Sequence, residues 1–92
     1  MRIELDCGQM TDKQAVHAYL KQALSLPEYY GNNLDALFDV LTELEEPVEL
    51  VLTHSHLLCD RLGSYGEALL ETLQEASEEN PTLCVILAES HN

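Results

Sequence analysis

The stretch PEYYGNNLDALFDVLTELEE, residues 27–46, contains a loop followed by a segment with one apolar and one acidic side. Its apolar residues recur three, four and seven positions apart, at Leu34, Leu37, Phe38 and Leu41. This spacing is typical of an amphipathic helix and identifies the side that should face the core. Asn32 is positioned to cap this helix, and Pro27 separates it from the segment before it.

The other side of the predicted helix carries like charges in a row. Asp35, Asp39 and Glu43 are four residues apart, with no Lys or Arg among them. Each such pair destabilises an isolated helix by about 0.2–0.5 kcal/mol, and the helix dipole disfavours acids near the C-terminal end. The last predicted helix repeats the spacing with three glutamates, Glu71, Glu75 and Glu79. Two interpretations stay open: solvated faces of an acidic protein, or a surface that binds cations.

The segments outside this stretch predict a small parallel sheet. RIELDC alternates polar and apolar residues as a strand does, and a helix with Thr11 and Gln14 at capping-box spacing then runs to about Leu24. Pro47 opens a second strand, VELVLT, which a short helical segment, HSHLLCDRLG, follows. A capping box at Ser64 and Glu67, in SYGE, predicts a fourth helix, which ends near Asn80.

The final strand, TLCVILA, is strongly apolar, and we expect it to be central and buried on both faces. Helices between all strands indicate parallel pairing through right-handed connections. The predicted fold is α/β, a single domain over residues 1–92 with a small three-stranded parallel sheet and about four helices.

The composition excludes several classes of partner. Four Lys and Arg stand against seventeen Asp and Glu, which gives a formal net charge of -13. Such a domain repels nucleic acid and anionic membranes, and it should be a monomer when free. No apolar run has signal-peptide or membrane-helix length, and Cys7, Cys59 and Cys84 form no disulfide framework, so we expect a cytoplasmic protein. Cys7 and Cys84 lie in apolar strands and should be buried.

No residue pattern indicates catalysis or a cofactor. His54, His56, Cys59 and Asp60 are close in sequence, but helical spacing lets only two of them converge, too few for a zinc site. The chain has four glycines and no nucleophile elbow, phosphate-binding loop or metalloprotease motif. We therefore expect no enzymatic activity, no cofactor and no metal.

One family matches these features. LPEYYG, followed by NLDAL and an aspartate two residues later, resembles the signature of the barstar family, intracellular inhibitors of the secreted ribonuclease barnase. Weaker similarity extends over HAYLKQALSLPEYYG and EASEENPTLCVIL. The resemblance implies the same three-stranded parallel sheet.

The resemblance also implies a function and a binding surface. An acidic helix would block the active site of a basic, barnase-like ribonuclease, with Asp39 as the central phosphate mimic, Asp35 on a second cation and Tyr29 against a catalytic histidine or its neighbour. The implied partner contacts are Tyr29, Tyr30, Gly31, Asn33, Leu34, Asp35, Phe38, Asp39, Thr42, Glu75 and Glu79. The alternative is an acidic interaction module on the same fold that binds a cationic partner other than a nuclease.

Three positions depart from the family pattern. Phe38 and Leu44 stand where barstar has tryptophans, and Glu43 replaces a glycine at the end of the helix. These departures leave the identity of the ribonuclease open.

Overall fold

The structure, a computed structural model, describes residues 1–88 and contains a parallel sheet of three strands. The strands are β1 (Arg2–Asp6), β2 (Val48–Thr53) and β3 (Leu83–Ala88), in the order β1-β2-β3. The helices are α1 (Lys13–Ala23), α2 (Leu34–Thr42), α3 (His56–Leu62) and α4 (Ser64–Glu79), and a 3-10 turn covers Cys7–Gln9. The predicted fold class is confirmed, and the last four residues of the predicted domain lie outside the described range.

One face of the sheet contributes to the core and packs against the helices. Ile3, Leu50 and Val85 form one row of the sheet by register, and Leu5 and Leu52 continue the same face. Leu5, Leu50 and Leu52 are fully buried. Burying a leucine completely contributes about 1.5–3 kcal/mol relative to leaving it exposed, so these three residues stabilise the fold substantially.

The opposite face of the sheet is largely open. Its rows contain Arg2, Glu4, Cys84 and Ile86, which are all exposed, while the central strand contributes Val51, which is 4% exposed. Parallel sheets are usually covered on both faces, so this is a two-layer variant of that arrangement.

The prediction that β3 is central was wrong, because β2 lies between the other two strands. Ile86 and Leu87 in β3 are 37% and 49% exposed. An apolar run indicates a strand but does not say which neighbours the strand has. Cys84 is also exposed, contrary to expectation, because it lies on the open face of this edge strand. Cys7 is buried as predicted.

The helices form a second layer, which packs on the sheet and completes the core. Helix α4 packs against α2, α3 and β3. Each helix contributes leucines that are at most 1% exposed: Leu20, Leu37, Leu41, Leu58, Leu69 and Leu73. The predicted apolar face of α2 is therefore the buried one.

Two helix caps lie one residue after their predicted positions. Asp12 rather than Thr11 caps α1, since its Oδ1 accepts a hydrogen bond of 2.8 Å from the backbone N–H of Ala15. Asn33 rather than Asn32 caps α2, because Asn32 adopts a left-handed backbone with φ of 55°.

The predicted capping box of α4 does not form. Gly63 is the N-cap, with φ of 57°, and Ser64 already belongs to the helix. The sharp turn between α3 and α4 requires this left-handed geometry, which a glycine adopts without strain.

The contact between α3 and α4 depends on a second glycine, and this allows a test of the fold. A methyl group at Gly66 would overlap the backbone carbonyl of Leu58, which cannot move without shifting α3. Gly66→Ala should lower the free energy of unfolding by at least about 1–3 kcal/mol, seen as a lower urea midpoint with an unchanged slope.

Gly8→Ala is the matched control for this test. At Gly8 the nearest atom to an added methyl group is the side-chain Oδ1 of Asp6 at 3.0 Å, so the change threatens the side-chain contacts of Asp6, such as the hydrogen bond it accepts from the Gly8 backbone N–H, and no backbone contact between helices. Equal midpoints for the two variants would contradict the proposed backbone clash.

Candidate functional site

Helix α2 displays its acidic stripe on the surface. Leu37 and Leu41 anchor the buried side, and Asp35, Asp39 and Glu43 are exposed on the other. Asp35 lies in the first turn, where the helix dipole favours a negative charge. Glu43 is the C-cap residue, where the dipole disfavours one.

No cation within residues 1–88 compensates this stripe. The ion pairs of the described chain join Arg2 to Glu49, Lys21 to Glu28 and His54 to Asp6. None of these pairs includes an acid of α2 or α4. The stripe therefore faces solvent as uncompensated negative charge.

Helix α4 carries a second acidic row. Glu71, Glu75 and Glu79 are exposed, while Leu73 and Ala76 on the other side are buried. Because α4 packs directly against α2, the two acidic rows belong to neighbouring helices. Predicted contacts on both helices thus occupy adjoining parts of the structure.

The loop before α2 holds its two tyrosines in opposite directions. Tyr29 is 89% exposed, whereas Tyr30 is only 5% exposed. Of the predicted contacts, Tyr29, Gly31 and Asn33 are on the surface. The ring of Tyr30 lies in the core, so it supports the loop from inside and presents no surface to a partner.

A buried histidine, which the sequence pattern did not indicate, holds Tyr30 in place. His17 Nδ1 lies 2.7 Å from the Tyr30 hydroxyl, and its Nε2 lies 2.6 Å from the Tyr65 hydroxyl. The imidazole thus links α1, the tyrosine loop and the first turn of α4. Burial lowers the pKa of His17, and burial followed by the charge of Tyr65 raises the pKa of Tyr30 to about 12.

The C-terminal end of α2 is fixed by another residue that sequence patterns missed. The side-chain amide of Asn80 donates to the carbonyls of Leu41 and Leu44, each at 2.9 Å. Its oxygen accepts hydrogen bonds from the backbone and hydroxyl of Thr82. Asn80 is 6% exposed, so these bonds satisfy the open end of α2 inside the protein.

The remaining predicted contacts lie at the edge of α2. Leu34, Phe38 and Thr42 are half-buried. Thr42 donates its hydroxyl to the backbone carbonyl of Asp39 at 3.0 Å. Phe38 packs against the core, so an aromatic ring other than tryptophan fits that position. Glu43, at the end of the helix, is exposed.

Within residues 1–88 no group of three or more His, Cys, Asp or Glu side chains is placed to hold a metal ion. The same residues include no helix that is both long enough and apolar enough to cross a membrane.

Comparison with known proteins gives the family to which this fold and surface belong. Residues 1–88 match the family model described as Barstar (barnase inhibitor). The chain therefore belongs to the barstar family, and the resemblance inferred from the sequence is confirmed. A protein of Bacillus subtilis (strain 168) named "Putative ribonuclease inhibitor YrdF" is 42% identical over 79 residues, which cover 85% of this chain and 87% of that protein.

The buried histidine predicts a specific dependence of stability on pH. Because the pKa of His17 is lower in the folded protein than its ordinary value of 6.5, the unfolded chain binds this proton more readily. The resulting stability is complete above the unfolded pKa and is lost as the pH falls through the folded one. The difference in unfolding free energy between the protein and His17→Gln should therefore shrink from about pH 7 to about pH 5.

Urea unfolding at a series of pH values measures this difference, and carboxylate titrations common to both proteins cancel. His56→Gln, at an exposed position, serves as the control. A constant difference between the protein and His17→Gln across the range would contradict the assigned role of burial.

Proposed function

We propose that this protein inhibits a basic, barnase-like ribonuclease by covering its active site with α2 and the loop that contains Tyr29. The observation that carries this proposal is the exposed row of Asp35 and Asp39, which has no compensating cation within residues 1–88. Membership of the barstar family and the name of the Bacillus subtilis relative support it.

The charges of such an active site complement this row. A ribonuclease binds RNA phosphates with Lys, Arg and His side chains, and carboxylates can occupy the same positions. Asp39 would take the central position and Asp35 a second one, each through charge-assisted hydrogen bonds. These bonds would relieve the repulsion that the free helix carries.

The remaining surface residues would widen the contact. Tyr29 offers an exposed aromatic ring with a polar end, a type of side chain that suits an interface, and it would pack on a catalytic histidine or its neighbour. Glu75 would add a contact from α4, with Glu79 at the periphery. Gly31, Asn33, Leu34, Phe38 and Thr42 would line the space between these groups.

Inhibition of this kind requires no chemistry from the inhibitor. The function proposed is therefore non-catalytic and uses no cofactor. Three free cysteines fit a reducing compartment, so we place the inhibitor in the cytoplasm. The net charge of -13 opposes self-association, and the free inhibitor should be a monomer.

Two residues at the edge of the proposed contact surface favour a second candidate partner. Glu43 and Leu44 replace a glycine and a tryptophan of the family pattern, which changes the charge and shape beside Asp39. An acidic interaction module on the same fold, with this altered edge beside Asp39, would bind a cationic protein that is not a nuclease.

Titration of the protein into barnase and related basic ribonucleases, with RNA cleavage as the readout, tests the proposal. We expect complete loss of cleavage at one-to-one stoichiometry and no RNA turnover by the protein alone. Asp39→Ala should weaken binding more than about a hundredfold, since removing one partner of a buried ion pair leaves an uncompensated charge. Glu75→Ala should weaken it less.

Glu4→Ala is the control because it removes one exposed acid from the open face of the sheet. Equal, small effects of Asp39→Ala and Glu75→Ala would reject the central role of Asp39. Absence of inhibition by a folded sample would favour the partner that is not a nuclease.

Electrostatic attraction between the two proteins predicts how salt acts on the binding rates. Interactions between exposed charges are screened over about 8 Å at physiological ionic strength. Raising the ionic strength well above that level should slow association by about tenfold or more and change dissociation little. Stopped-flow measurements give both rates, and an association rate independent of salt would contradict steering by the acidic rows.

A further inference from the structure

A cavity next to the tyrosine loop has the opposite character to the acidic rows. It has a volume of about 620 Å³ and lies between α1, the start of α2 and the first turn of α4. Lys13, His17 and Lys21 line it from one side of α1, and Asn32 and Tyr65 line it from the others. None of its lining residues is acidic.

This charge distribution differs from that of the rest of the chain. The sequence has four Lys and Arg and seventeen Asp and Glu. Two of the four cations, Lys13 and Lys21, line this one cavity. They are two four-residue steps apart on α1, which places both on the same side of the helix.

Neither lysine is committed to a strong partner within residues 1–88. The ammonium of Lys13 lies 4.9 Å from the centre of the Tyr65 ring and makes no ion pair there. Lys21 lies 3.5 Å from the carboxylate of Glu28, whose side chain is 98% exposed, and it makes a long hydrogen bond of 3.5 Å to the backbone carbonyl of the same residue. Such exposed pairs contribute little, so both ammonium groups can turn to a ligand.

Neutral donors stand beside the lysines. The side-chain amides of Gln14 and Asn32 line the cavity and make no hydrogen bond within residues 1–88. The hydroxyl of Tyr65 is held by His17 at 2.6 Å and stays at the cavity wall. Ammonium and amide donors around one space, with no carboxylate in its lining, favour an anionic ligand.

We propose that this cavity binds the phosphate group of a small phosphate ester. Two ammonium groups match the charge of a phosphate, and the amides can donate to its remaining oxygens. The volume is larger than a phosphate requires and falls in the range of small-molecule sites, so there is room for the organic part beside Tyr65. The site shares Asn33 with the proposed ribonuclease contact but contains none of the acids of α2, so phosphate binding can be tested apart from inhibition.

A titration followed by proton–nitrogen NMR tests this site in the whole protein. Inorganic phosphate and then ribose 5-phosphate are added at neutral pH, with total ionic strength held at the physiological level so that the distant acids are screened. We expect shifts confined to the amides of residues 13–21, 32–33 and 65. Tighter binding of the ester would show that the cavity uses its full volume, and equal binding would limit recognition to the phosphate.

Three charge variants decide whether the lysines bind the phosphate. Lys13→Gln and Lys21→Gln should each weaken binding by about tenfold, because each removes one charge-assisted hydrogen bond. Arg2→Gln makes the same change of charge on the far strand, where Arg2 pairs with Glu49, and should leave binding unchanged. The dispersion of the NMR spectrum and the urea midpoint show that each variant is folded.

Two results would overturn the proposal. One is the absence of localised shifts well above about 1 mM phosphate. The other is a loss of binding in Arg2→Gln as large as that in the lysine variants, which would show a general effect of net charge. Because ribonuclease inhibition is measured without phosphate and through Asp39, either result leaves the inhibitor proposal intact.

Discussion

Two asparagine side chains hold α2 at its ends, and this constraint determines where the acidic surface lies. Asn33 caps the first turn by accepting a hydrogen bond of 2.8 Å from the backbone N–H of Ala36, and Asn80 donates to the carbonyls of Leu41 and Leu44 at the C-terminal end. A helix of nine residues is too short to be stable by itself in water. Its position therefore depends on these caps and on the leucines that it buries, and its carboxylates project from a fixed element.

The free energies involved explain why the fold tolerates the repulsion between the carboxylates along α2. Two like-charge pairs along α2 cost together less than about 1 kcal/mol. A single fully buried leucine contributes about 1.5–3 kcal/mol, and α2 buries both Leu37 and Leu41. The free energy gained by burying these leucines thus exceeds the cost of the repulsion, so the fold can hold the acids exposed on its surface. A preformed surface also loses little conformational freedom on binding.

The sequence was informative where periodicity alone decides the structure, and less so where distant residues meet. Spacing within α2 correctly separated Leu37 and Leu41 from Asp35 and Asp39. The strand order was not predictable, because an apolar strand has the same pattern at the edge as at the centre of a sheet. The contact of His17 with Tyr65 spans 48 positions and that of Asn80 with Leu41 spans 39, so no local pattern contains them. The caps of α1 and α2 lie one residue from their predicted positions because either of two adjacent polar residues could cap each helix. The backbone conformation determines which of the two does so.

The open face of the sheet has a consequence for the behaviour of the protein in concentrated solution. It carries the exposed apolar side chain of Ile86, in one row with the buried Val51 and the exposed Glu4. At neutral pH, mutual repulsion keeps such faces apart, since acids far outnumber bases in the chain. Near the isoelectric point of about 4.3 that repulsion disappears. Colloidal stability should therefore be lowest near that pH, where molecules can associate through the exposed part of this face.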